Sequence, residues 1–151
     1  MSGSVLDVVV AGGGPVGWAC ALAAKTALGA RSKVTLIERE ALPSIAASDP
    51  LFPRVYTVAS GHLVWLESKD VVFDRSRSAS VRQILVSGRD GRDSLQIGAP
   101  DAGRDELARV MEHEALTLSI AARARQLGVH LLAGQSAALH DDDGVKLLEL
   151  A

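Results

Sequence analysis

Along the first third of the chain, hydrophobic positions switch from one period to another. Residues 5–10 form a short apolar run (Val8, Val9, Val10) that is β-branched and cut off by glycine, which predicts a buried strand. From Pro15 to Leu28, small and apolar residues recur at helical spacing. Proline suits a first turn and Gly29 supplies a stop, so a helix is predicted there. Lys33 to Glu38 is a second apolar run and predicts the next strand. Strand, helix and strand make a βαβ unit, which implies parallel strands and a right-handed crossover.

Further along, the pattern loosens. Residues 39–54 carry Pro43, Pro50 and Pro53 and predict a loop. Residues 56–67 return to helical spacing through Val58, Leu63, Val64 and Leu66. Residues 81–87 alternate as a strand would, and 88–103 are turn-rich, with a short strand at 95–97 and a charged hairpin end at Arg89, Asp90, Arg92 and Asp93. A long helix ends near Leu127, with Gly128 after it and Ala115, Leu118, Ala122 and Leu127 near one face. Two starts fit it: a cap at Asp105, or a strand at 107–111 feeding a helix from His113. Residues 129–133 read as a short buried strand, Asp141-Asp142-Asp143-Gly144 as an acidic turn and 145–150 as a last strand-like run.

Composition narrows the class. At 151 residues and 48% hydrophobic, the chain can bury the core of one domain, and 3% aromatics make that core aliphatic and alanine-rich. A net charge of −2 provides no broad basic field, which argues against nucleic acid as a partner. The single cysteine, Cys20, cannot form an internal disulfide, which fits a reducing cytoplasm; its place in the small-residue helix makes it a packing residue. The N-terminus has no basic segment ahead of its apolar run, so no signal peptide is expected. No run approaches the roughly 20 apolar residues of a membrane span.

The glycines between the first strand and helix carry the chemistry. Gly12-Gly13-Gly14-Pro15-Val16-Gly17 has the G-x-G-x-x-G spacing of a dinucleotide-binding turn. Gly12 lets the chain turn sharply, Gly14 lets a pyrophosphate approach the backbone, and Gly17 lets helix and strand pack closely. Unpaired N–H groups and the positive end of the helix dipole favour a phosphate there. Glu38 stands 21 residues after Gly17, at the end of the second strand, where its carboxylate can accept from both hydroxyls of an adenosine ribose. A carboxylate in that place repels a 2′-phosphate, which disfavours NADP. The motif alone does not separate FAD from NAD.

Three phrases separate them by resemblance. DVVVAGGGPVG followed by VTLIERE, then RVYTVASGHLVWLES from Arg54, then LARVMEHEAL at 107–116 resemble the class A flavoprotein hydroxylases. Within that family they are most similar to the ubiquinone-biosynthesis (UbiH-type) hydroxylases, relatives of p-hydroxybenzoate hydroxylase. The resemblance implies an α/β, Rossmann-like FAD/NAD(P)-binding fold with a parallel sheet. It implies FAD held by Gly12, Gly13, Gly14, Pro15, Val16 and Gly17 at the pyrophosphate, by Glu38 and Arg39 at the adenosine end, and by Arg54 in the phosphate–ribitol region. His113 falls where the family often has Asn or Gln beside the flavin chain. The implied reaction is hydroxylation of an aromatic or quinone-type ring, with NAD(P)H as transient reductant of the flavin and O2 as co-substrate.

The family also carries a DG and a GD motif downstream, and neither occurs here; Asp143-Gly144 lacks the strand context of the first. The sequence thus reads as one FAD-binding domain over 1–151, incomplete at its C-terminal side, with 70–103 a β-rich excursion towards a substrate domain. Two other readings stay open: a catalytically silent FAD- or nucleotide-binding module, and an NAD-dependent oxidoreductase half. Nothing in the segment identifies a catalytic base, and no serine-hydrolase elbow occurs. His62, His113, His130 and His140 are not at metal-ligand spacing, so no metal is expected. Arg75, Arg77, Arg82 and Arg89 form a local basic strip whose default reading is a solvated surface; peripheral contact with acidic lipid is the alternative.

Overall fold

The computed structural model describes residues 7–46, 49–51, 54–89, 94–142 and 145–151. Its elements run β1 (Asp7–Ala11), α1 (Pro15–Leu28), β2 (Lys33–Glu38), β3 (Val55–Ala59), α2 (Ser60–Glu67), β4 (Ser78–Val81) and β5 (Gln83–Ser87). Then come β6 (Ser94–Gly98), β7 (Ala108–Glu112), α3 (His113–Gln126), β8 (His130–Ala133), β9 (Ala137–Asp142) and β10 (Val145–Leu150). β2 lies between β1 and β8 in a parallel sheet, in register from Asp7↔Lys33 to Ala11↔Ile37 and from Thr35↔His130 to Glu38↔Ala133. This is the Rossmann-like α/β core that the βαβ pattern predicts. The parallel sheet has three strands; β3–β7–β4, β5–β6 and β9–β10 are antiparallel.

α1 and β2 match their predicted limits. Gly29 ends α1 at φ +81°, a backbone conformation that glycine adopts without strain. Lys25 is buried beneath this corner, and its ammonium donates to the carbonyls of Ala30 (3.2 Å) and Ser32 (2.5 Å), which ties down the turn into β2. α1 packs on β1, β2 and α3. Trp18, Leu22, Val34, Leu36, Met111 and Ile120 form the centre of the core, each at most 2% exposed. Each such large side chain contributes roughly 1.5–3 kcal/mol by leaving water.

Several expectations need correction. The helix predicted over 56–67 is strand β3 up to Ala59 and helix α2 only from Ser60. Val55, Tyr56, Thr57 and Val58 are strand-forming residues, and ladder pairing with β7 outweighs the helical spacing of the apolar positions. The strand predicted at 81–87 is two, β4 and β5, which part at Arg82 and join different sheets. Of the two starts for the long helix, the strand-fed one holds: β7 runs into α3 at His113. The buried face of α3 carries Ala115, Leu116, Ile120, Ala121 and Ala124, while Ala122 is exposed, so the apolar stripe is rotated from the one expected. Cys20 is exposed rather than packed. Asp141 and Asp142 lie in β9, not in a turn; Asp143 and Gly144 lie outside the described residues. Of the charged hairpin end, Asp90, Arg92 and Asp93 also lie outside them, as do Val5 of the first strand and Pro53 of the loop.

Candidate cofactor-binding site

The strand-to-helix turn after β1 shapes one wall of a cleft of about 360 Å³. Each glycine is needed there for a separate reason. Gly12 has φ +104° and open space where a side chain would go, so its requirement is conformational. Its N–H donates to the Ile37 carbonyl at 2.9 Å, which stitches the turn to β2. A side chain at Gly13 would meet the Glu38 side chain at 2.8 Å. One at Gly17 would run into the Gly12 carbonyl oxygen, so α1 can start this close to β1 only with glycine at that point. Gly14 is different: its φ is −71°, and a side chain there would meet only His113, at 4.0 Å, across the cleft.

α1 begins with its first-turn amides uncommitted. Pro15 has no N–H, and the first intrahelical bond runs from Trp18 N–H to the Gly14 carbonyl at 3.1 Å. No side chain caps the helix and its first turn holds no acid. The N–H groups of Val16 and Gly17 are therefore left for an outside acceptor, and the helix dipole makes an anion the favoured one.

Glu38 closes the β2 side. Its Oε2 accepts from the Gly13 N–H and its Oε1 from the Glu40 N–H at 3.1 Å. Partial burial pushes this carboxyl up, but the N–H groups of Gly13, Glu40 and Arg39, with the Arg39 guanidinium, outweigh it and hold the group below its ordinary 4.5. A depressed folded value means that the stabilising contribution is full above pH 4.5 and is lost as pH falls through the lower folded value. Glu38→Gln is accordingly expected to flatten the acid limb of the stability profile below pH 4.5. Denaturant midpoints measured across that range check this, and parallel limbs for wild type and variant would refute it.

The other wall comes from β3 and α3. Arg54 donates from Nη2 to the Tyr56 hydroxyl at 2.8 Å, and its guanidinium carbon stands 5.6 Å from the centre of that ring. The Tyr56 and His113 rings are 5.5 Å apart and tilted by 35°. The His113 N–H donates to the Arg54 carbonyl at 2.9 Å, so β3 sets the place of the first residue of α3. Nδ1 of His113 is buried and has no partner among the described residues. Thr117, one turn on, donates from its hydroxyl to the His113 carbonyl at 2.7 Å and lines the cleft below it.

Of the residues named from sequence, Gly13, Gly14, Pro15, Val16, Glu38, Arg54 and His113 line this one cleft. Gly12 and Gly17 shape it without lining it. Arg39 is exposed and does not line it, acting instead through its charge on Glu38. Glu40, Leu42, Tyr56 and Thr117 also line it and were not singled out from sequence. For Thr117 the available signal was its place four residues after His113; Tyr56 owes its place to the pairing of β3 with β7. Of the basic strip, Arg75, Arg82 and Arg89 are exposed, but Arg77 is buried and bonded to Glu112, so it is no part of a surface strip. No helix among the described residues is long and apolar enough to cross a membrane, and no group of three or more metal-ligating side chains occurs among them.

The groups that line the cleft suit the phosphate and ribose of a nucleotide. The cleft offers free helix-start amides, a glycine cradle with room only for backbone at Gly13 and Gly17, a carboxylate fixed beside the turn, and an unpartnered buried ring nitrogen. Residues 7–71 match the tryptophan halogenase family model. No curated protein matches the chain. Among solved structures, it is similar to a geranylgeranyl bacteriochlorophyll reductase-like protein of Thermoplasma acidophilum, at 23% identity and TM-score 0.68 over 97% of this chain and 35% of that one. It is similar to 2-methyl-3-hydroxypyridine-5-carboxylic acid oxygenase at 22% identity and TM-score 0.66, over 99% of this chain and 38% of that one. It is similar to the anhydrotetracycline hydroxylase of Streptomyces rimosus at 20% identity and TM-score 0.68, over 97% and 28%. The chain spans about a third of the length of these proteins, and over that third it has their Rossmann-like fold.

Proposed function

We propose that this chain is the FAD-binding portion of a flavin-dependent monooxygenase that hydroxylates an aromatic or quinone-type ring with NAD(P)H and O2. The observation that carries the reading is the single cleft that joins the glycine turn and Glu38 to the Arg54–Tyr56–His113 stack. An NAD-type half-site would need only the first part. In this reading the α1 amides and the Gly14 backbone take the pyrophosphate, Gly13 holds Glu38 in place, and Glu38 takes the adenosine ribose hydroxyls. Arg54 and His113 meet the phosphate–ribitol stretch. The flavin, when bound, supplies the redox chemistry and oxygen activation. The chain's own residues hold, orient and partly bury it. The match of residues 7–71 to tryptophan halogenases favours one second reading, ring halogenation instead of hydroxylation, with the same cofactor role for this segment. Product analysis with chloride present separates the two.

Trp18, buried in the first turn of α1, and Trp65, partly exposed on α2, give a direct readout. FAD is expected to quench their fluorescence at micromolar concentration and to leave the purified protein yellow, whereas NADP, whose 2′-phosphate would face Glu38, is expected to bind far more weakly. A colourless protein that binds NAD but not FAD would overturn the proposal.

A further inference from the structure

Arg77 is a buried charge near the cleft, and nothing in the proposed cofactor contacts uses it. It ends a short turn ahead of β4 and is 7% exposed. Its Nε and Nη2 donate to Oε2 of Glu112 at 3.1 and 2.7 Å. Its Nη1 donates to the Asp49 carbonyl at 3.1 Å and its Nη2 to the Pro50 carbonyl at 3.0 Å. One planar guanidinium thus holds two separate parts of the chain, a geometry that lysine cannot reproduce.

Both parts lead into the cleft. Glu112 is the residue before His113 and the last of β7. Asp49 is coupled back to Ala46, whose N–H donates to Oδ2 of Asp49 at 2.8 Å while the Ala46 carbonyl accepts from the Asp49 N–H at 3.0 Å. Residues 40–43 of the same segment line the cleft, and Arg54 follows at its other end. Glu112 also has an Oε1 that is buried without a partner among the described residues, so its charge leans on Arg77.

We propose that Arg77 is a positioning residue for the cleft. By gripping the 49–50 carbonyls and the Glu112 carboxylate together, it sets the distance between the segment leaving β2 and the start of α3. Arg54 and His113 are thereby presented to the glycine turn. The adenosine end, built on β1, α1 and β2, does not depend on it. The functional half of the proposal rests on the FAD reading above; the mechanical half does not.

Hydrogen exchange on the unliganded protein and titrations with FAD and ADP test both halves on Arg77→Met, Arg77→Lys and Glu112→Gln. In Arg77→Met, exchange is expected to speed up at residues 40–46 and at the His113 amide while α1 keeps its protection. FAD affinity is expected to fall by about tenfold or more and ADP affinity by no more than about twofold, with Arg77→Lys in between. If Arg77→Met fails to fold, the Lys and Gln variants carry the same comparison. A variant with lowered thermal stability but unchanged FAD affinity, or one that loses FAD and ADP alike, would show a purely structural ion pair and overturn the proposal. A wild-type protein that binds neither ligand sinks the FAD reading instead. Exchange then decides the clamp alone: uniform acceleration across the fold refutes it.

Discussion

Gly14→Val is expected to give a folded protein that retains no FAD. The two halves of that result come from different measurements on the structure. The Gly14 backbone is at φ −71° and ψ 177°, an extended conformation that valine adopts readily. A Cβ there comes no nearer than 4.0 Å to any residue beyond its chain neighbours. What it enters is the cleft that Gly14 lines with Val16 and His113, where the proposed pyrophosphate would lie. Losing two charge-assisted bonds from the α1 amides costs about 3–6 kcal/mol, which is a loss of affinity of 100-fold or more. Circular dichroism and a denaturant curve should match wild type while the flavin absorbance of the purified protein disappears. Retained FAD in a folded variant would show that the phosphates do not pass over Gly14.

Gly17→Ala is expected to do the reverse and damage the fold itself. The added methyl would occupy the place of the Gly12 carbonyl, which is backbone and already positioned by the bond from Gly12 N–H to Ile37. Either the turn or the start of α1 must move. Overpacking of this kind costs about 1–3 kcal/mol, and rigid backbone on both sides puts the expectation at the upper end. Alanine's better helix propensity returns at most about 1 kcal/mol. Urea unfolding should show a lower midpoint with the slope unchanged. A variant as stable as wild type would mean that the turn has slack absent from this geometry. Two glycines three residues apart thus fail in opposite ways, one at binding and one at folding.

How legible the molecule is from sequence depends on the range of the interactions. α1 and β2 were readable because proline, glycine and an uninterrupted apolar run mark their ends locally. β3 was misread because Val58, Leu63 and Leu66 keep helical spacing across a boundary that only the ladder to β7 defines. β9 was missed because its polar residues carry no strand pattern and pair only with β10. In the cleft, Glu38 could be found by its distance from Gly17. Tyr56 could not, since its place follows from the misread strand. Arg77 read as one of four surface arginines. Its burial comes from Glu112, 35 positions on, and from two loop carbonyls, and none of these partners leaves a mark on the sequence around it.

The bonds from Gly13 and Glu40 to the Glu38 carboxylate also bear on entropy. A free glutamate on a strand end samples many rotamers, and a ligand that captured it would have to freeze them. Here the backbone has chosen the rotamer before any ligand arrives. Immobilising such a side chain costs about 0.5–1.5 kcal/mol when it happens at binding. The chain meets that cost once, at folding, and its acidic residue stands ready as a rigid acceptor.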